Sequence, residues 1–148
     1  METTKEYTGQ LNRLLATYQV HYQNLRALHW NIRGNHFFEL HLKYEELYTR
    51  TQVVIDELAE RILQLGTTPL HRMDDYLKQS YVGENTTIHD GKDGMEYILE
   101  AQKTILQLER DLLESSGKLE DEGTNALMSD LVREKEKTNW MFAAWLNR

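Results

Sequence analysis

"LHWNIRGNHFFELHLKYEEL", residues 28–47, places three histidines and three glutamates within twenty residues. Apolar and aromatic side chains fall between them at three- and four-residue steps, the spacing of a helix's buried stripe. "RGN" at 33–35 interrupts that pattern. The stretch therefore reads as the end of one helix, a tight turn and the start of the next. Helices joined so closely lie antiparallel, so His29, late on the first, can fold back beside His41 on the second.

Working backwards, Leu11, Leu14, Leu15, Tyr18, Tyr22, Leu25 and Leu28 extend the first helix over 4–32. Forwards, Phe37, Leu40, Tyr44, Leu47, Tyr48, Ile55, Leu58, Ile62 and Leu65 mark a second over about 36–65, with Gly66 as its C-terminal stop. "TTPLHRMDDYLKQS" predicts a short helix capped by Thr68, with Pro69 in its first turn and Leu70, Met73 and Leu77 facing inward. Long helices follow over about 90–116 and 121–146, separated by "SGKLEDEG". The connection between helices two and three is long enough to run the length of a bundle. The predicted fold is all-α: one domain, 1–148, a ferritin-like four-helix bundle with a short extra helix in that crossover.

The chain has 148 residues, one proline, eight glycines and no cysteine, which excludes disulfides, thiolate metal sites and thiol catalysis. Its net charge is −7 and no run of Lys or Arg interrupts it. Such a surface repels nucleic-acid phosphate, so DNA binding is expected to be weak or absent, and it suits a protein that handles cations. No apolar run approaches the roughly 20 residues of a membrane span. The polar start "METTKEYTGQ" lacks a signal peptide's apolar region. The expected location is cytoplasmic.

Helix two carries the chemistry. At about 100° per residue, His41 and Glu45 lie about 40° apart, as do Asp56 and Glu60. Glu45 and Asp56 differ by only about 20° after three turns. All four groups share one face, flanked by apolar residues. Along the axis, however, His41 and Asp56 are about 22 Å apart, too far for one metal ion to collect both. Two antiparallel copies of the helix about a two-fold axis bring His41 and Glu45 of one chain to Asp56 and Glu60 of the other, and the symmetry makes two such sites. Two imidazoles and three carboxylates without thiolate suit Fe(II), Mn(II) or Zn(II). No Glu in the chain is followed by His three residues on. The Glu-x-x-His pairs that hold two irons inside a single bundle are therefore missing. Taken singly, His41–Glu45 and Asp56–Glu60 are ordinary helix-surface pairs. Their conjunction on a face between apolar residues points to a shared site.

These residues also carry a resemblance. "LHWNIRGNHFFELHLKYEELY" followed by "DELAER" resembles the Dps proteins, the mini-ferritins named as DNA-binding proteins from starved cells, and the helix plan agrees over nearly the whole chain. The resemblance implies a dodecameric shell with ferroxidase centres between two-fold-related chains. His29, His41 and Glu45 would come from one subunit and Asp56 and Glu60 from its partner; the family often has Asp at the position of Glu45. It implies an enzyme, a ferroxidase that oxidises Fe(II), preferring hydrogen peroxide to oxygen. The ferric product is stored inside, in protection against oxidative stress. Trp30 falls where the family has a tryptophan beside the iron. Acidic three-fold pores near the start of the last helix match Asp121 and Glu122; Ala126 replaces a further acid, and Asp130 follows. Glu46 is a candidate for mineral nucleation. DNA-binding members carry basic tails; here the first ten residues hold one Lys against two Glu. Two rival readings stay open. One is a DNA-packing shell with secondary iron chemistry, the other a shell whose centres sequester zinc or manganese.

Overall fold

The computed structural model describes residues 4–148, with side chains from Glu6 onward. The very start of the polar N-terminal stretch thus lies outside the described residues. Five helices and no strand form the described chain: α1 (Thr4–Asn31), α2 (Phe37–Gln64), α3 (Met73–Gln79), α4 (Gly91–Lys118) and α5 (Glu122–Trp145). The predicted all-α plan is therefore observed, four long helices with a short one in the crossover.

Helix α1 packs on α2, α3 and α4, and α4 packs on α5. The short turns make α1–α2 and α4–α5 antiparallel pairs. The long crossover returns the chain so that α2 and α4 start at the same end: a Cβ on Gly91 would meet Leu40 at 2.6 Å and His36 at 3.8 Å. Glycine at Gly94 likewise admits the Tyr44 ring, whose hydroxyl would stand 2.5 Å from an added Cβ.

Two apolar clusters form the core. One gathers Leu11, Leu14, Tyr18, Leu58, Ile62, Ile105, Leu112, Met128 and Leu131. The other gathers Leu25, Leu28, Leu40, Tyr44, Met95, Ile98 and Phe142. Between them each long helix contributes a buried polar residue: His21, Thr51, Gln102 and Lys135.

Gly66 ends α2 as expected. At φ +88° it takes the left-handed position, its N–H donating to Leu63 and that of Thr67 to Ile62. The short helix differs from its expectation. It starts at Met73, with Arg72 in extended conformation at its cap and no side-chain cap bond. Thr68 therefore does not cap it and Pro69 lies outside it. The cause is Asn12 on α1, whose side chain accepts from the Leu70 N–H at 2.8 Å and donates to the Thr68 carbonyl at 3.3 Å. Those bonds hold the segment extended until Arg72. Leu70 still packs on the core, but Met73 and Leu77 are exposed and Tyr76 is the buried residue of α3. No described helix is long and apolar enough to cross a membrane.

Candidate metal centre

The last turn of α1 meets the first turns of α2 across residues 32–36, and His29 and His41 meet there face to face. Their rings stack at 3.7 Å with 12° between planes. His29 Nδ1 donates to the His41 carbonyl at 2.6 Å and His41 Nδ1 to the His29 carbonyl at 2.7 Å. A carbonyl can only accept, so each Nδ1 carries a proton, and in the neutral ring the lone pair stands on Nε2. That is the outer hydrogen bond that fixes a metal-ligating histidine. The His29 carbonyl is one of those left without an intrahelical partner at the end of α1, so the contact also closes that helix.

Apolar walls hold the pair in place. Phe37 stacks on the far face of His41 at 4.9 Å, and Tyr48 meets His29 edge-on at 5.4 Å. One turn along α2, the Glu45 carboxylate comes within 3.8 Å of His29 Nε2. That gap is wide for a hydrogen bond but matches two ligands each about 2.1 Å from a shared cation. The donor set of imidazole and carboxylate fits Fe(II).

Asp56 and Glu60 are not brought to this point. Both sit on α2, which runs as unbroken helix from Phe37 to Gln64, and both are exposed. Fifteen residues of straight helix hold Asp56 about 22 Å from His41 along the axis. Among the described residues no three His, Cys, Asp or Glu side chains of one chain form a metal cluster. One chain thus presents His29, His41 and Glu45 near one end of a helix face and Asp56 and Glu60 toward the other.

A family model for the ferritin-like domain matches residues 8–148. The DNA protection during starvation protein of Porphyromonas gingivalis is 41% identical over 138 residues, covering 93% of this chain and 87% of that protein. The chain belongs to the Dps family. Among solved structures, the Vibrio cholerae Dps protein is 50% identical, with a TM-score of 0.95 over 97% of this chain and 90% of that one. It is described as a member of a broad superfamily of ferritin-like diiron-carboxylate proteins. Dps from Staphylococcus aureus matches at 30% identity with a TM-score of 0.95, covering 99% and 98% of the two chains.

Other residues singled out for a Dps chain fall as follows. Trp30 is 58% exposed, its ring covered on one side by the Arg26 guanidinium at 4.9 Å. Asp121 is the N-cap of α5, accepting from the Thr124 N–H at 3.1 Å. It also accepts from the Thr124 hydroxyl at 2.7 Å, the Tyr7 hydroxyl at 2.8 Å and Arg61 at 2.6 Å. Its carboxylate ties together α1, α2 and α5, and both of its oxygens are engaged in these bonds. Glu122 is exposed, Asp130 pairs with Arg133 at 2.9 Å, and Glu46 pairs with Lys43 at 2.8 Å.

Sequence reasoning missed the clamping role of the two backbone carbonyls and of Phe37 and Tyr48. Carbonyls leave no trace in residue identity, and the two aromatics read as core. It also missed a buried charged cluster of Tyr18, Glu109 and Lys135. The signal was there: Glu109 is four residues after Ile105 and Lys135 four after Leu131, both on apolar stripes.

Proposed function

We propose that this Dps-family protein is a ferroxidase and iron store. A dodecameric shell oxidises Fe(II) at centres shared by two-fold-related chains and keeps the ferric product inside. The observation that supports this reading is the reciprocal His29–His41 clamp, which leaves both Nε2 lone pairs free and sets that of His29 3.8 Å from Glu45. Asp56 and Glu60 supply the missing oxygens from the partner chain, since their own chain holds them too far away.

Iron is the substrate. In the net reaction two Fe(II) each give up one electron, and the O–O bond of hydrogen peroxide accepts both electrons and two protons to leave as two waters. The three carboxylates favour the harder Fe(III) product, and Trp30, next in sequence to His29, is assigned to the position at which the resemblance implies a tryptophan beside the iron. Consuming Fe(II) and peroxide together removes both reagents of hydroxyl-radical chemistry. That supports DNA protection, the role in the name of the Porphyromonas relative, without requiring contact with DNA.

The test is direct. Purified protein is given Fe(II) and then peroxide under exclusion of air, ferric absorbance is followed, and light scattering gives the assembly mass. Oxidation well above the protein-free rate in a dodecamer is expected. A buffer-level rate, or a monomer that oxidises equally fast, would overturn the reading.

A further inference from the structure

The middle of the bundle holds a polar layer that the ferroxidase reading does not use. Lys135 on α5 is 5% exposed and Glu109 on α4 is fully buried. Tyr18 on α1 joins them: its hydroxyl donates to Glu109 Oε2 at 2.5 Å and accepts from Lys135 Nζ at 2.6 Å. The ammonium also lies 4.9 Å from the Tyr18 ring centre and 3.9 Å from the Glu109 carboxylate. Two buried polar atoms here have no partner, Glu109 Oε1 and His21 Nδ1. His21 lies three residues after Tyr18 on the same face of α1. Burial, with a further push from the Lys135 ammonium, lowers its pKa to about 3. The ring is therefore neutral and keeps a lone pair. A cavity of about 230 Å³ between α2 and α5 reaches this layer, with His21, Tyr18, Gln102 and Lys135 on its walls.

The groups that touch Lys135 Nζ are cation acceptors: a carboxylate, a phenol oxygen and the face of a phenol ring. The neutral imidazole of His21 lines the same cavity, whose wall also carries Glu134 and the cations Lys43 and Arg50. Glu109 and His21 hold acceptor capacity that the single ammonium does not use. We propose that the bundle centre is a second cation site, filled in the resting protein by the chain's own Lys135 ammonium. With that ammonium removed, the site takes a divalent cation suited to oxygen and nitrogen ligands, held by Glu109, His21 and the Tyr18 oxygen and completed by water from the cavity. In the intact chain Lys135 denies this position to Fe(II), so iron is left to the exposed half-centres at the chain surface. A redox role for Tyr18 fits less well, because an ammonium bonded to its oxygen opposes loss of an electron from the ring.

The test uses Co(II), whose visible absorption reports its ligands, on full-length chains that already carry His29→Ala and His41→Ala. That background removes the surface centre, so failure here leaves the inter-subunit reading standing. Three proteins are compared: this parent, parent with Lys135→Ala, and parent with Lys135→Ala and Glu109→Gln. The Lys135→Ala chain should take up about one Co(II) more than the parent, with a visible band and a melting midpoint that rises with Co(II). Adding Glu109→Gln should abolish all three effects. A folded Lys135→Ala chain that binds no more Co(II) than its parent overturns the proposal, as does equal binding by the Glu109→Gln chain. If Lys135→Ala is unfolded as isolated, it is refolded from denaturant. Recovery of helix with Co(II) but not without supports the proposal, and no recovery with Co(II) overturns it.

Discussion

His41 has two tasks. Its Nδ1–H closes the end of α1 through the His29 carbonyl, and in the proposed centre its Nε2 is a ligand of the metal. In His41→Ala the fold loses one hydrogen bond, worth about 1 kcal/mol, while the half-centre loses a ligand. Altering even an outer partner of a metal ligand lowers metal affinity or activity about 10- to 100-fold. Peroxide-driven Fe(II) oxidation in shells checked by light scattering should therefore slow by at least about tenfold. Wild-type kinetics in intact shells would remove His41 from the ligand set. His21 gives a second prediction at this scale. With its folded pKa lowered to about 3, the unfolded chain takes up a proton below its ordinary 6.5 and the folded chain refuses it. Stability therefore falls as pH drops from that value toward the folded one, by up to about 1.4 kcal/mol per unit. His21→Gln should lessen the loss of urea midpoint between pH 6 and pH 4, at fixed protein concentration. Parallel curves for the two proteins would contradict a buried neutral imidazole.

At the scale of elements, helix ends separate what the sequence made legible from what it hid. The stop of α2 was legible because Gly66 does what glycine does at a left-handed position. The end of α4 was not. Gly117 stays helical, and the left-handed residue is Glu120 at φ 57°, with Glu120 and Asp121 N–H groups closing the helix onto Gly117 and Ser116. Threonine and proline at 68–69 resembled a helix start, but a long-range contact from Asn12 decided otherwise, and no local pattern reports such a contact. Glu109 and Lys135 were passed over because each is polar on its own and acceptable in a core only together. Asp121 is the most heavily bonded of these helix ends. Burial alone would raise its pKa, but the Thr124 hydroxyl and amide, the Tyr7 hydroxyl and Arg61 outweigh that and hold it below its ordinary 3.8. Such a group stabilises the fold above its unfolded pKa, and the contribution is lost as pH falls through the lower, folded value. Asp121→Asn should cost about 1–2 kcal/mol at pH 7, since charge-assisted bonds become neutral ones. The gap to wild type should narrow at pH 3. A gap that is constant with pH would mean that the Asp121 charge contributes nothing.

For the whole molecule, charge and assembly decide what can be bound. A chain with net charge −7 multiplies that charge on assembly, so phosphate is repelled beyond the Debye length of about 8 Å at physiological salt only weakly, but strongly at contact. Plasmid DNA at neutral pH and near-physiological salt should migrate unshifted in the presence of the shell. Tight, salt-sensitive retardation would instead favour the DNA-packing reading. The four-helix plan was legible from the apolar spacing along the whole chain, and the meeting of His29 with His41 from the turn at 33–35, because helix periodicity fixes which side chains share a face. In the proposed centre the joining of the halves involves a second chain, and only the mismatch between about 22 Å of helix and the size of one metal centre pointed to it.

The shared centre is best tested by complementation. One chain carries His29→Ala and His41→Ala; another carries Asp56→Ala and Glu60→Ala. Shells of either alone have every centre damaged. When the two are unfolded together in equal amounts and reassembled, about half of the two-fold pairs are mixed, and each mixed pair rebuilds one of its two centres. Roughly a quarter of the wild-type oxidation rate should return, by that reciprocity. A rate that stays at the level of the unmixed variants, in assemblies shown by mass spectrometry to contain both chains, would contradict a ferroxidase centre built from two subunits.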